Sequence, residues 1–580
     1  MPASDEAYEA YRRPPTRLPD ENLGWNTYGV GVEAMGRDGA PEHIDVTHPG
    51  PDQLLVRVDA VGLCYSDVKL IRQGGNHPKL YGRDLSEEPT RLGHEATVTV
   101  VEVGEDLADR YQPGQRLAIQ PDIYVGGRST AYGYTIPGGL IQFHLIGPEV
   151  LDADDGAYVI PVDDSIGYAA AALSEPWACV EAAYTQRRRL EPLEGGRMWI
   201  VGQPGDENEY RFSRYLDRPA LIVLTDAPEA IAAQARRTGA EVIHRDGLDP
   251  SQYRALSDEL TGGDGFDDIV LLGPRRAEQV DKTAALIAFR GTLNLVGDRP
   301  LDGLVAVDLG RIHYHYTAYY GNPGPDVAAS YGEERNRCEL RPGGVALFVG
   351  AAGPMGQMHI QRALELPDGP STIIASDVDP TRLAVLEAKL GPLAERRERR
   401  LAIVDPSADP EALAAIVEKE TAGRGADDVI VTVPVGETMS DSAQLMAPDG
   451  MLVLFAGAPV GTVGPLDLSA VYLQNAQYTG TSGSRISDQQ LVIDKAVAGL
   501  LSPERSLAAV GGIEAGRDGV QAMLEGRFAG KIVIFPQLKG LPLMGLEELA
   551  ERYPAIGRHL GDGWSPEAER ELIETFWKPA

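Results

Sequence analysis

Two stretches of this chain, 160 positions apart, carry the same punctuation. Leu260-Thr261-Gly262-Gly263-Asp264-Gly265-Phe266-Asp267-Asp268-Ile269-Val270 and Glu420-Thr421-Ala422-Gly423-Arg424-Gly425-Ala426-Asp427-Asp428-Val429-Ile430 share Thr, Gly, Gly, Asp and Asp in register. The interval from Gly265 to Gly297 recurs from Gly425 to Gly457, after apolar runs that read as strands, Leu293-Asn294-Leu295-Val296 and Leu452-Val453-Leu454-Phe455. Around them, buried-strand patterns such as Ala220-Leu221-Ile222-Val223-Leu224 precede alanine-rich helical runs such as Glu229-Ala230-Ile231-Ala232-Ala233-Gln234-Ala235. Strands alternating with helices build a parallel, doubly wound sheet. Self-similarity over this length predicts that a whole dinucleotide-type domain is duplicated.

The copies diverge where a dinucleotide would bind. In the second, Val345-Ala346-Leu347-Phe348-Val349 runs into Gly350-Ala351-Ala352-Gly353-Pro354-Met355-Gly356 and then a helix. Gly350, Gly353 and Gly356, with Pro354 and Met355 opening the helix, let the backbone approach a pyrophosphate at a helix N-terminus. Asp377 ends the next apolar run, where a carboxylate accepts both ribose hydroxyls and repels a 2′-phosphate, which favours NAD over NADP. In the first copy, Gly202-Gln203-Pro204-Gly205-Asp206-Glu207-Asn208 puts Asn208 in place of the third glycine and two carboxylates where phosphate would lie. Asp226 keeps the ribose-type position, so an altered nucleotide site stays open, with a structural role expected for this copy.

From about residue 25 to 175 the pattern changes to short alternating apolar runs broken by glycine and proline, as in Gln53-Leu54-Leu55-Val56-Arg57-Val58, and this reads as a β-rich domain. Within and just after it stand Gly62-Leu63-Cys64-Tyr65-Ser66-Asp67, Gly93-His94-Glu95 and Ser174-Glu175-Pro176. A thiolate, an imidazole and a carboxylate are a ligand set for a catalytic zinc, which takes three protein ligands and keeps its fourth position open.

Composition limits the alternatives. A chain of 580 residues with 43% hydrophobic and 24% charged residues is an ordinary globular protein long enough for several domains. Its 53 basic against 86 acidic residues give a net charge of −33, which argues against a nucleic-acid or anionic-membrane surface. Three cysteines, Cys64, Cys179 and Cys338, cannot build a disulfide framework, and a reducing cytoplasm is the expected location. Met1 to Pro15 shows no apolar targeting core, and no segment supplies the roughly 18 apolar residues of a membrane span. Cys179 and Cys338 are read as small core residues. His313 and His315, at strand spacing, would share one face of a strand and are a minor metal candidate. Lys69, Arg72, His77, Lys79 and Arg83 form a basic loop that is either simply solvated or captures a substrate phosphate.

Together with Gly104, Pro113-Gly114-Gln115-Arg116 and Glu175-Pro176-Trp177-Ala178-Cys179, these motifs resemble the zinc-dependent medium-chain dehydrogenase/reductase superfamily of alcohol and polyol dehydrogenases. Gln120-Pro121-Asp122-Ile123-Tyr124, Ala131-Tyr132-Gly133-Tyr134 and the Glu175 segment look like its sorbose-1-phosphate reductase branch. The resemblance covers about residues 45 to 540. With the internal repeat and the helical pattern of the tail, it leads to an α/β plus β fold: a GroES-like β-rich catalytic zinc domain (1–189), a degenerate Rossmann domain (190–340), an NAD-binding Rossmann domain (341–480), a return to the catalytic domain (481–540) and a helical extension (541–580). It also implies one catalytic zinc on Cys64, His94 and Glu175, with Glu95 as a neighbouring carboxylate able to ligate. Ser66 would relay the substrate proton and Asp67 orient a ligand. Lys69 stands where some relatives place a histidine that extends the relay, and the four-cysteine structural zinc lobe of many relatives is absent.

The implied reaction is hydride transfer between NAD(H) and a secondary alcohol or ketone of a polyol, sugar or sugar phosphate. Two alternatives share the features: a redox-neutral epimerase or lyase that retains NAD for transient oxidation, and a non-catalytic nucleotide-binding protein. A small-molecule substrate is expected, with no nucleic-acid or membrane partner and with homo-oligomerisation open.

Overall fold

The structure is a computed structural model that describes residues 5–15, 17–561 and 563–579. The first four positions of the N-terminal stretch read above, together with Thr16, Asp562 and Ala580, lie outside the described residues. The chain divides into two compact units, Met1–Glu181 with Gly483–Ala580, and Ala182–Ser482.

The first unit begins as the β-rich text foretold. Strands β1 (Leu54–Leu63), β2 (Glu95–Val103), β3 (Arg116–Ile119), β4 (Phe143–Ile146) and β5 (Val159–Pro161) pair antiparallel in the order β5-β3-β2-β1, with β4 also on β1. Every residue of β1 is buried, so its near-continuous apolar run is that of a central strand covered on both faces. Helix α1 (Tyr65–Gln73) starts two residues after β1 and uses Cys64 as its N-cap residue. The β1–β2 register sets Gly62 opposite Glu95, which brings Cys64 to the side of His94 and Glu95. Helix α2 (Tyr168–Ala182) carries Glu175, followed by Pro176 inside the helix.

The second unit holds two sheets of one design. In the first copy, β6 (Arg197–Val201), β7 (Leu221–Thr225), β8 (Glu241–His244), β9 (Phe266–Leu272) and β10 (Ile287–Val296) precede β11 (Val305–Asp308), helix α3 (Leu309–Tyr314) and β12 (Ala318–Asn322). In the second, β13 (Val345–Val349), helix α4 (Pro354–Glu365), β14 (Thr372–Ser376), β15 (Arg400–Val404), β16 (Ala426–Val431) and β17 (Met446–Leu454) precede β18 (Val463–Leu466), helix α5 (Ser469–Leu473) and β19 (Gln477–Gly480). The parallel sheets run β8-β7-β6-β9-β10-β12 and β15-β14-β13-β16-β17-β19, the doubly wound order with its switch point beside the first strand. Strands β11 and β18 form an antiparallel ribbon between the copies, and one apolar core runs through both sheets, from Trp199 and Phe266 to Leu452 and Tyr478.

One expectation fails here. His313 and His315 do not share a strand face, because the segment is helix α3 and its C-cap. Asp308 caps that helix by accepting from the Arg311 N–H, which satisfies an amide the helix start leaves open. His315 accepts from the Arg311 guanidinium, and His313 is buried against the Leu454 carbonyl.

The chain then rejoins the first unit. β20 (Leu507–Gly512) runs parallel to β21 (Lys531–Phe535), and β21 lies antiparallel on β1 with Ile532 opposite Leu63. The C-terminal residues pack on this unit through helix α6 (Pro566–Phe576). The buried Glu569 carboxylate accepts from the N–H groups of Tyr168, at 2.6 Å, and Ala169, at 2.8 Å, which satisfies open amides at the start of α2.

Candidate metal and cofactor site

The β1–β2 register and the α1 cap gather three side chains. Ligand atoms of Cys64, His94 and Glu95 all lie within 4.8 Å of one another. Asp67 organises them. It is buried, accepts from the Cys64 N–H at 2.9 Å, and faces Nδ1 of His94 at 3.2 Å. A carboxylate on Nδ1 fixes the imidazole tautomer and turns Nε2 toward the cluster. Burial opposes a charge on His94, but the Asp67 charge and its hydrogen bond outweigh it and hold the imidazole well above the ordinary histidine range.

Glu95 is the carboxylate the structure places with Cys64 and His94. Its Oε1 pairs with the Lys531 ammonium, while its buried Oε2 has no hydrogen-bond partner. A Cβ at Gly62 would lie 2.0 Å from that oxygen, so glycine at the end of β1 is what admits it. Glu175 is not brought into the three-residue cluster. It is buried nearby, with burial raising its carboxyl to about 7, His94 pulling the other way and Glu95 adding to the rise. Cys179, one turn further along α2, stands 3.9 Å from its Oε1. A thiolate, an imidazole nitrogen and an orphaned carboxylate oxygen are a donor set that suits zinc.

Ser66 Oγ lies 3.3 Å from His94 Nε2. Tyr134 is buried, with its ring beside His77 and His94. Lys69 is exposed on α1, whereas Asp67 is turned inward. The basic loop is largely committed to its own neighbours: Lys79 pairs with Asp122 at 2.7 Å, Arg83 reaches the Thr135 carbonyl and Glu88, and Arg72 donates to Tyr65. Two groups around the cluster lie outside the motifs that carry the zinc reading. Tyr134 carries no ligand motif, and the sequence signal for Lys531 is a lysine inside the apolar run Lys531-Ile532-Val533-Ile534-Phe535, which needs a buried partner.

The glycines of the second copy do different work. Gly350 has φ +77°, outside the range side chains favour, and a Cβ there would meet Val433 at 2.5 Å. A Cβ on Gly356 would stand 2.5 Å from the Gly350 carbonyl and 2.6 Å from that of Ala351, so this glycine lets α4 pack against its turn. At Gly353, the N-cap, the nearest atom to a Cβ is 3.7 Å away. Packing does not require glycine there, and a glycine at such a turn is what close approach of a pyrophosphate would need. Pro354 and Met355 open α4, and Asp377, at the end of β14, accepts from the Ala352 N–H at 2.9 Å.

The first copy lacks this apparatus. No helix follows β6 before β7 begins, so there is no helix N-terminus to face a phosphate. Asp206 fills the turn: it accepts from the Tyr210 hydroxyl at 2.7 Å and would lie 1.9 Å from a Cβ on Gly273. Asp226 is engaged by the Gly247 N–H.

Residues 50–149 match the alcohol dehydrogenase GroES-like domain, and residues 354–498 match the zinc-binding dehydrogenase family. The chain is 29% identical over 295 residues to L-sorbose 1-phosphate reductase of Klebsiella pneumoniae, covering 47% of this chain and 70% of that one. It is 27% identical over 350 residues to mannitol-1-phosphate 5-dehydrogenase of Aliivibrio fischeri, covering 56% and 80%. It is also 27% identical over 253 residues to D-arabitol-phosphate dehydrogenase of Enterococcus avium, covering 42% and 67%. The two domain matches and these relatives together support a zinc-type medium-chain dehydrogenase/reductase. They likewise support an NAD(P)-dependent alcohol/polyol dehydrogenase similar to the sorbose-1-phosphate reductase branch, and zinc and a nicotinamide dinucleotide are the cofactors expected of that family. The two matched segments leave the first copy of the repeat between them.

Proposed function

We propose that this enzyme transfers a hydride between NAD(H) and a secondary alcohol or ketone of a polyol, a sugar or a sugar phosphate. One zinc would be held by Cys64, His94 and a carboxylate from Glu95 or Glu175. The observation that carries the reading is the cluster itself: three different donors converge within 4.8 Å, and one of them, His94, is oriented by a buried carboxylate. Zinc bound there would supply Lewis acidity that makes a substrate hydroxyl easier to deprotonate, and the nicotinamide would exchange the hydride.

The chain's own residues serve that chemistry in definite ways. Asp67 holds His94 in one tautomer. Lys531 offsets the buried charge of Glu95. Ser66, within reach of His94 Nε2, would take the proton from a hydroxyl at the cluster and pass it on. Lys69, exposed on α1, would receive that proton only at the surface. Asp377 supports NAD over NADP, since a carboxylate at the end of the second strand repels a 2′-phosphate. The sugar-phosphate class is supported by the relatives, which are a reductase and dehydrogenases of sugar or polyol phosphates.

The test is a panel of polyols, sugars and their monophosphates, each offered with NAD and with NADP and followed at the nicotinamide absorbance. Turnover of at least one secondary alcohol with added NAD, lost on chelation, supports the reading. Turnover without added nucleotide, from a chain that keeps its NAD, would replace it with the redox-neutral reaction.

A further inference from the structure

The first copy has lost its dinucleotide turn yet keeps a full six-stranded sheet, and its contacts with the second copy are reciprocal. His313 of α3 crosses Gly480 of β19 so closely that a Cβ there would stand 3.1 Å from the His313 Cα. At the equivalent positions, 159 residues on and back, Tyr472 of α5 crosses Gly321 of β12, where a Cβ would meet the Tyr472 Cβ at 2.4 Å. The β11–β18 ribbon has the same symmetry, running from Val305 opposite Leu466 to Asp308 opposite Val463. Contacts of this kind, in which i meets j and j meets i, define the isologous interface of a two-fold dimer. Here both halves are in one chain.

The two reciprocal contacts are not chemically equal. Those made by α3 and the residues after it fall at the carboxyl ends of β17 and β19. His313 Nδ1 lies 3.1 Å from the Leu454 carbonyl, and the Tyr316 hydroxyl donates to the Ser482 carbonyl. The Tyr314 hydroxyl covers Gly457, 2.2 Å from where a Cβ would be. In a doubly wound sheet the ligand lies outside the carboxyl ends, straddling the switch point. Asp377 marks the β14 side as the adenosine half, so the ends of β16, β17 and β19 take the nicotinamide half. The contact in the other direction, Tyr472 to the Arg299 carbonyl, serves a copy that has no dinucleotide turn.

We propose that the first copy is an internal partner that completes the nicotinamide half of the second copy's dinucleotide site. Tyr314 and Tyr316 are its positioning residues, fixing the loops after β17 and β19 against which the nicotinamide riboside binds. The proposal rests on the dinucleotide reading of the second copy. It explains why the first copy retains its fold after losing its own turn: its second half, α3 to β12, still has a surface to support.

The experiment compares two ligands on the full chain, NADH and ADP-ribose, the latter lacking only the nicotinamide. Dissociation constants and ligand-free melting temperatures are measured for the parent, Tyr316→Phe and Tyr314→Leu. The proposal expects NADH binding to weaken about five- to tenfold, the scale of one lost hydrogen bond, while ADP-ribose binding stays within about twofold. Equal weakening of both ligands would show a general loosening of the second copy and overturn the proposal, as would NADH binding unchanged in both variants. A parent chain that binds neither ligand would overturn the dinucleotide reading itself, and that failure shows before any substitution is made. Should Tyr314→Leu not fold, Tyr316→Phe, which removes only a hydroxyl, decides alone.

Discussion

The ammonium of Lys531 and the carboxylate of Glu95, 436 positions apart in the chain, form an ion pair from which water is excluded on both sides. Burial opposes the charge on the lysine, and the charges of Glu95 and Cys64 hold it in place. Removing one partner of such a pair leaves a buried charge without compensation, at a cost of roughly 3–5 kcal/mol. Lys531→Met should therefore lower the unfolding free energy by about that amount in urea denaturation of the metal-free chain. Lys531→Met combined with Glu95→Leu should recover most of the loss. A single variant as stable as the parent would contradict the pairing.

Asp67 acts on the cluster through His94. Asp67→Asn keeps the shape and removes the charge on Nδ1, and loss of such a supporting group typically weakens metal binding by about 10–100-fold. Competition with a chelating dye should show that fall in zinc affinity. An unchanged affinity would mean that His94 needs no orientation.

The two later glycines of the dinucleotide turn should separate binding from folding. Gly353→Ala meets no atom closer than 3.7 Å, so the melting temperature should hold while NADH affinity falls by at least about tenfold, the scale of lost close contact with a pyrophosphate. Gly356→Ala drives a methyl to 2.5 Å from a backbone carbonyl and should destabilise the fold by about 1–3 kcal/mol. Calorimetry with and without nucleotide reads both effects.

Glu569 ties α6 to the start of α2. Glu569→Ala strands two buried N–H groups and should cost about 1–3 kcal/mol or more. Burial raises the Glu569 carboxyl above its ordinary value of 4.5 despite those two donors. The folded chain thus holds this proton more tightly than the unfolded one. Its contribution to stability is fully present below that ordinary value and declines as pH rises through the raised one. Glu569→Gln, which cannot ionise, should flatten the stability curve across that window; the same slope in variant and parent would contradict the assignment.

Much of this architecture was written in local signals. The repeat was legible because Gly265 and Gly425, and the aspartates after them, punctuate strand starts that both copies need. The divergence of the first copy's turn was legible in Asp206 and Glu207, which are the wrong charge for a phosphate turn. What the sequence hid was non-local. Lys531 meets Glu95 only because β21 returns to β1. Tyr314 has a role only where α3 crosses the other copy. His313 and His315 misled because a spacing of two suits a strand, although Asp308 three residues before Arg311 was the helix-start signal. Nor did motif spacing show which of Glu95 and Glu175 gathers with Cys64 and His94; the ligand atoms of Glu95 do.

Metal content tests the account most directly. Mass-spectrometric analysis of the purified parent and of Cys64→Ser, each dialysed against zinc-free buffer, should find about one zinc per parent chain and little in the variant, with alcohol oxidation lost in parallel. A parent without zinc, or a Cys64→Ser chain that retains both zinc and turnover, would contradict it.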